Sequence, residues 1–240
     1  IEVSENGKLI VNNVKFLYGG QKYFAQGGFV FGGKFPARII NNLGGEVNLA
    51  NAEFQNSFMN KEIKDQIYDA IVWIEPANGL FTTTTINNSV FDGGYLAIKN
   101  QKQNNYFSIS NSTFKNFTNT TGPITSRYDF PVMENNVFEN NVRNVVEIQQ
   151  WTVNKDITLD SKVEYLMNII TVNTGATLQI LPGTIINLSK KGEITVNGSL
   201  EAIGVDNNKI IIRPAKVDEK WGNIIFNNST STLEYVNITG

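Results

Sequence analysis

The chain of 240 residues contains neither cysteine nor histidine. The first absence removes disulfides and thiolate nucleophiles, and leaves the redox compartment open. The second removes imidazole bases, Ser-His-Asp arrangements and histidine-held zinc. Charge is scarce as well: 18% of residues are charged and the net charge is -2. No basic run stands out, so the positive face that a phosphate backbone requires is missing and no nucleic-acid partner is expected. No stretch approaches the roughly 18 apolar residues of a membrane-spanning helix. The sequence opens at Ile1 on a strand-like segment without a signal-peptide pattern, and reads as a mature or excised piece.

What is abundant is asparagine, about one residue in seven, well above its ordinary share. Five segments align on one phenylalanine: Val11-x-Asn13-x-x-Phe16, Leu49-x-Asn51-x-x-Phe54, Ile86-x-Asn88-x-x-Phe91, Ile109-x-Asn111-x-x-Phe114 and Met133-x-Asn135-x-x-Phe138. Asn or Gly follows two residues after the Phe in four of them, at Asn56, Gly93, Asn116 and Asn140. A weaker copy, Leu233-x-Tyr235-x-x-Ile238, carries Tyr in the Asn slot. Phe91 and Phe114 are 23 residues apart, and Phe114 and Phe138 are 24 apart. The wider intervals of 38 and 37 residues between Phe16, Phe54 and Phe91 leave room for one turn plus an insertion. A turn of about 23 residues holding short strands broken by Asn and Gly predicts a three-sided parallel coil.

Stacking turns about 4.8 Å apart brings equivalent side chains into columns. Phe16, Phe54, Phe91, Phe114 and Phe138 are then expected to stack inside, each burial contributing roughly 2–3 kcal/mol. Asn13, Asn51, Asn88, Asn111 and Asn135 are expected at an inward corner, in left-handed backbone, bonding groups the turn leaves unpaired. Both columns read as scaffold.

The second half keeps the period with other residues. Gly175, Gly183, Gly192, Gly198 and Gly204 punctuate short alternating strands. Equivalent positions are expected at Leu178, Leu200 and Ile224, and at Ile185, Ile210 and Leu233. A soft boundary falls near 145–151, where the Asn/Phe style gives way, within a single β-helix domain over 1–240. Three insertions interrupt the coil. Residues 18–36 combine six glycines with six aromatics. Residues 58–75 place Phe58, Ile63, Ile67 and Ile71 at helical spacing and predict one short amphipathic helix. Residues 118–131 predict a lateral loop carrying Arg127, Tyr128, Asp129 and Phe130.

The run Ile169-Ile-Thr-Val-Asn-Thr-Gly-Ala-Thr-Leu-Gln-Ile-Leu-Pro-Gly-Thr-Ile-Ile-Asn-Leu, then Glu193-Ile-Thr-Val-Asn-Gly-Ser-Leu-Glu-Ala-Ile-Gly and Trp221-Gly-Asn-Ile-Ile-Phe, resembles rungs of secreted and cell-surface bacterial β-helix proteins. The Asn/Phe segments resemble the parallel β-helix repeat of the pectate-lyase-like superfamily. That resemblance implies an all-β, right-handed parallel β-helix and an extracellular or cell-surface location. It is weak for function, because the superfamily holds lyases, hydrolases, epimerases, adhesins and passenger domains. A narrower resemblance is to the tapirins, cellulose-binding surface adhesins built on a β-helix with long side loops.

Lyases of this fold use an arginine base with calcium held by carboxylates, and its glycosidases use paired aspartates. This chain has no Asp-Asp pair, and its one adjacent acidic pair, Asp218-Glu219, lies in a Lys-flanked turn. Arg127 with Asp129 is the nearest approach to a lyase-like site, and no calcium loop or cofactor motif is present. A polysaccharide lyase or hydrolase is therefore the alternative, and no catalytic or metal residue is assigned. Aromatics outside the inward slots supply candidate sugar-binding residues: Tyr18, Tyr23 and Phe24, then Tyr68 and Trp73, then Tyr128. The expectation is a non-catalytic protein with a polysaccharide partner and no cofactor, monomeric or assembled end to end. A structural surface filament is a further alternative, and Asn-x-Ser/Thr sequons, such as those at Asn87 and Asn187, are potential glycan acceptors. The run Thr82–Thr85 resembles a flat threonine face but occurs once.

Overall fold

The computed structural model describes residues 1–17, 38–55, 70–77, 79–103, 105–227 and 229–240. It divides into two compact units, Ile1–Ile124 with Pro131–Arg143, and Thr125–Phe130 with Asn144–Gly240. Among the described residues the regular elements are β-strands, and no helix occurs. The Gly-rich insertion and residues 58–69, with Tyr18, Tyr23, Phe24 and Tyr68, lie outside the described residues.

In the first unit the chain visits three parallel sheets in cyclic order. One holds Glu2–Val3, Arg38–Asn42, Ala70–Ile74 and Ile98–Asn100. The next holds Lys8–Asn12, Glu46–Ala50, Thr82–Asn87, Asn105–Ser110 and Val132–Glu134. The third holds Lys15–Leu17, Glu53–Gln55, Val90–Gly94, Thr113–Phe117 and Val137–Glu139. Each strand meets its neighbour only after a full circuit, an order compatible with a parallel β-helix.

Alternation along these short strands sets the core. Leu49, Ile86 and Ile109 pair in register and are buried, as are Phe54, Phe91 and Phe114. The phenylalanine column forms as expected: successive ring centroids from Phe16 to Phe138 are 4.6, 4.8, 5.0 and 5.2 Å apart. Those separations follow the spacing of paired strands, about 4.8 Å, so the rings stack face to face because the backbone register holds them there.

The asparagine column is corrected in one respect. Asn13, Asn51, Asn88, Asn111 and Asn135 take left-handed backbone, with φ of 56°, 51°, 50°, 50° and 52°. Tyr235, in the Asn slot of the sixth copy, follows them at 50°. Their side chains are exposed rather than inward. A left-handed residue breaks the strand alternation, so the following side chain turns in instead. Ser89, Ser112 and Asn136 occupy that buried position. The Ser89 N–H donates to Ser112 Oγ at 3.1 Å, and the Ser112 N–H donates to Asn136 Oδ1 at 3.0 Å. Asn136 Nδ2 donates onward to the Ile109 carbonyl at 2.9 Å. The inner polar ladder therefore lies one residue after the asparagines.

The helix expected over 58–75 is also corrected where it is described: Ala70–Ile74 is a strand, every residue of it buried. It pairs on one side with Arg38–Asn42 and on the other with Ile98–Asn100. Within the loop expected over 118–131, Ile124–Ser126 likewise forms a strand.

In the second unit, one sheet carries Val145–Val153, Glu164–Val172, Ile185–Val196, Ile210–Pro214 and Val236–Ile238, with Ile224–Phe226 paired beside Ile185–Val196. The other carries Ile157–Leu159, Thr177–Ile180, Ser199–Ile203 and Thr232–Glu234. Leu178 pairs with Leu200 as the period predicts. Ile224 instead pairs with Ile194, Ile185 with Ile211, and Leu233 with Ala202. Phe130 packs on Trp151 and Tyr165, with centroids 5.1 and 5.9 Å away.

Candidate functional site

The described candidates from the sequence behave differently from a display surface. Trp73 is 2% exposed. The Arg38 guanidinium lies 3.8 Å from its ring centroid and Lys99 Nζ lies 4.8 Å away. The indole N–H donates to Glu75 Oε2 at 2.8 Å, and Arg38 donates to the same oxygen at 3.4 Å. Trp73 is thus packed, charge-braced core rather than a sugar platform, a correction that follows from its strand being covered on both faces. Tyr128 is half-buried with the Arg127 guanidinium 5.1 Å from its ring centroid. Arg127 is pinned through its carbonyl, which accepts the Gln150 N–H at 2.6 Å, and the Asp129 carbonyl accepts from Ser126 Oγ.

Among the described residues no group of three acidic side chains is placed to hold a metal ion. Tyr165 is clearly perturbed: burial, then the neighbouring Asp160 carboxylate, pushes its phenol well above the ordinary tyrosine range. Its oxygen accepts the Asp160 N–H at 3.3 Å.

A different surface brings polar and aromatic groups together. In the Thr82–Asn87 strand, Thr82 and Thr84 are buried, so the threonine run divides between the two faces. Thr83 and Thr85 point outward and pair in register with Tyr106 and Ser108, and Asn87 pairs with Ser110. On the other side Thr83 meets Glu46 and Thr85 meets Asn48. Tyr106 is 46% exposed, and Phe81, just ahead of Thr83 in the same alternation, is 60% exposed. Phe81 immediately precedes this strand, and Tyr106 is the register partner of Thr83, two residues further on. Around them the outward hydroxyls and amides are tied edge to edge: Ser110 Oγ donates to Asn87 Oδ1 at 3.1 Å, and Asn111 Nδ2 donates to the same atom at 3.2 Å.

Inner bonds hold this face in place. Thr82 Oγ1 donates to Asn105 Oδ1 at 2.7 Å, and Asn105 Nδ2 donates to Asn100 Oδ1 at 2.8 Å. Asn42 Nδ2 donates to Thr84 Oγ1 at 3.1 Å. Sequence reasoning alone does not single out Phe81 and Tyr106. The usable signal is the Tyr106-Phe107 pair in an alternating strand, where one ring must face out. No protein-family model, curated protein or solved structure matches this chain.

Proposed function

We propose that this chain is a non-catalytic, extracellular or cell-surface protein that binds polysaccharide, with cellulose or another plant cell-wall glycan as ligand. Its frame in this reading is a right-handed parallel β-helix with three strands per rung and rungs near 23 residues. The cyclic visiting of three parallel sheets and the phenylalanine column support that frame.

The observation that carries the functional reading is the outward face of Thr82–Asn87 and Asn105–Ser110. A pyranose ring has an apolar C–H face and a rim of hydroxyls that both donate and accept. Phe81 and Tyr106 offer exposed ring surface for the former. Thr83, Thr85, Ser108 and Ser110 offer hydroxyls, and Asn48 and Asn87 offer amides, for the latter. Parallel pairing on both sides fixes these groups, so little order must be gained on binding. The reading needs no metal and no cofactor.

Pull-down of the purified chain with insoluble cellulose, xylan and pectin tests it. Retention on at least one, weakened roughly tenfold in a Phe81→Ala/Tyr106→Ala double variant, is the expected result. No retention on any of the three, or full retention by the double variant, overturns the assignment.

A further inference from the structure

The second unit repeats one tripeptide at matching positions of its larger sheet: Thr152-Val153-Asn154, Thr171-Val172-Asn173 and Thr195-Val196-Asn197. Pairing puts the three threonines in register and the three valines in register. The valines are buried, so the threonines form an outward file on neighbouring strands. Ile225, 36% exposed, extends the file by pairing with Thr195. Beyond the strand ends the asparagines form a second file. Asn173 Nδ2 donates to Asn154 Oδ1 at 2.6 Å, and Asn227 Nδ2 donates to Asn197 Oδ1 at 3.1 Å.

We propose that these two files form a second glycan site, whose ligand is a neutral, unbranched polysaccharide lying across the strands. Extended pyranose chains advance by roughly the ~5 Å step that separates paired strands, so successive sugars meet equivalent Thr and Asn groups. A hydroxyl file beside an amide file supplies donors and acceptors in alternation, as neutral sugar hydroxyls require. The groups of both files are uncharged. The carboxylate beside them, Glu193, accepts from Thr195 Oγ1 at 3.1 Å and disfavours a uronate chain. Three threonines in register limit the contact to about three consecutive sugars, each touching one strand.

The site rests on the polysaccharide reading given above, and the test separates the two. The full chain is run in native affinity gels containing hydroxyethyl cellulose, glucomannan or polygalacturonate, with mobility normalised to a gel lacking polymer. The Phe81→Ala/Tyr106→Ala variant is expected to keep residual retardation by the neutral polymers. Adding Thr152→Val, Thr171→Val and Thr195→Val, which preserve β-branching, weakens that residual binding roughly tenfold, the loss of several hydrogen bonds. Thr171→Val alone weakens it by a smaller factor, and thermal melting confirms that each variant folds. If Phe81→Ala/Tyr106→Ala abolishes all retardation, or the threonine variants change nothing, the second site falls and the first stands. Stronger retardation by polygalacturonate overturns the neutral ligand. A wild-type chain retarded by no polymer overturns both sites.

Discussion

Asn88 and Asn111 show what one residue does here. Each holds φ near +50°, a region that costs most L-residues about 1–2 kcal/mol and that Asn and Gly tolerate. Asn111→Val is therefore expected to lower stability by about 1–2 kcal/mol in urea unfolding, and Asn111→Gly by much less. The left-handed backbone is legible in the sequence because Asn recurs three residues before each Phe. The direction of the side chain is not, since a left-handed residue resets the alternation from which facing is inferred. Tyr165 gives a second prediction at this scale. Its folded phenol titrates above the unfolded value of about 10, so the folded state keeps the proton longer. The stability this represents is whole below that pH and is lost as pH rises through the folded value. Tyr165→Phe should flatten the decline of melting temperature above about pH 10, at some cost at neutral pH from the lost Asp160 N–H bond.

Among elements, the phenylalanine column is fully legible, because an exact repeat of a large apolar residue has few other uses. Phe91 is enclosed by Phe54 and Phe114 and is fully buried. Phe91→Ala should cost about 3–5 kcal/mol, and the half-buried end members Phe16 and Phe138 should cost less, measured by chemical denaturation. The strand Ala70–Ile74 is the element that the sequence disguises. Ile63, Ile67 and Ile71 fit a helical period, and short apolar runs are ambiguous from periodicity alone. What decides the matter is pairing with Arg38–Asn42 and Ile98–Asn100, partners remote in sequence. The same pairing accounts for Trp73, whose ring braces Arg38 and Lys99 within the sheet. Trp73→Ala is accordingly expected to lower stability by about 3–5 kcal/mol and to leave glycan affinity of the surviving folded protein unchanged. A selective loss of affinity at unchanged stability would contradict its burial.

For the molecule as a whole, composition by itself narrows the chemistry. A chain without histidine or cysteine has no imidazole or thiolate chemistry, and its polar groups are mostly amides and hydroxyls. Such groups suit a patterned surface that meets another hydroxyl-rich polymer. Where that surface lies is not legible in the sequence, since Phe81 and Thr83 come from one circuit and Tyr106 and Ser108 from the next. Isothermal titration of the chain with soluble cello-, xylo-, manno- and galacturono-oligosaccharides tests the assignment most directly. It should give saturable heat with at least one series, and an affinity at least tenfold weaker in Phe81→Ala/Tyr106→Ala, on the scale of one lost aromatic contact. Heats indistinguishable from dilution in every series, or an unchanged affinity in that variant, would contradict it.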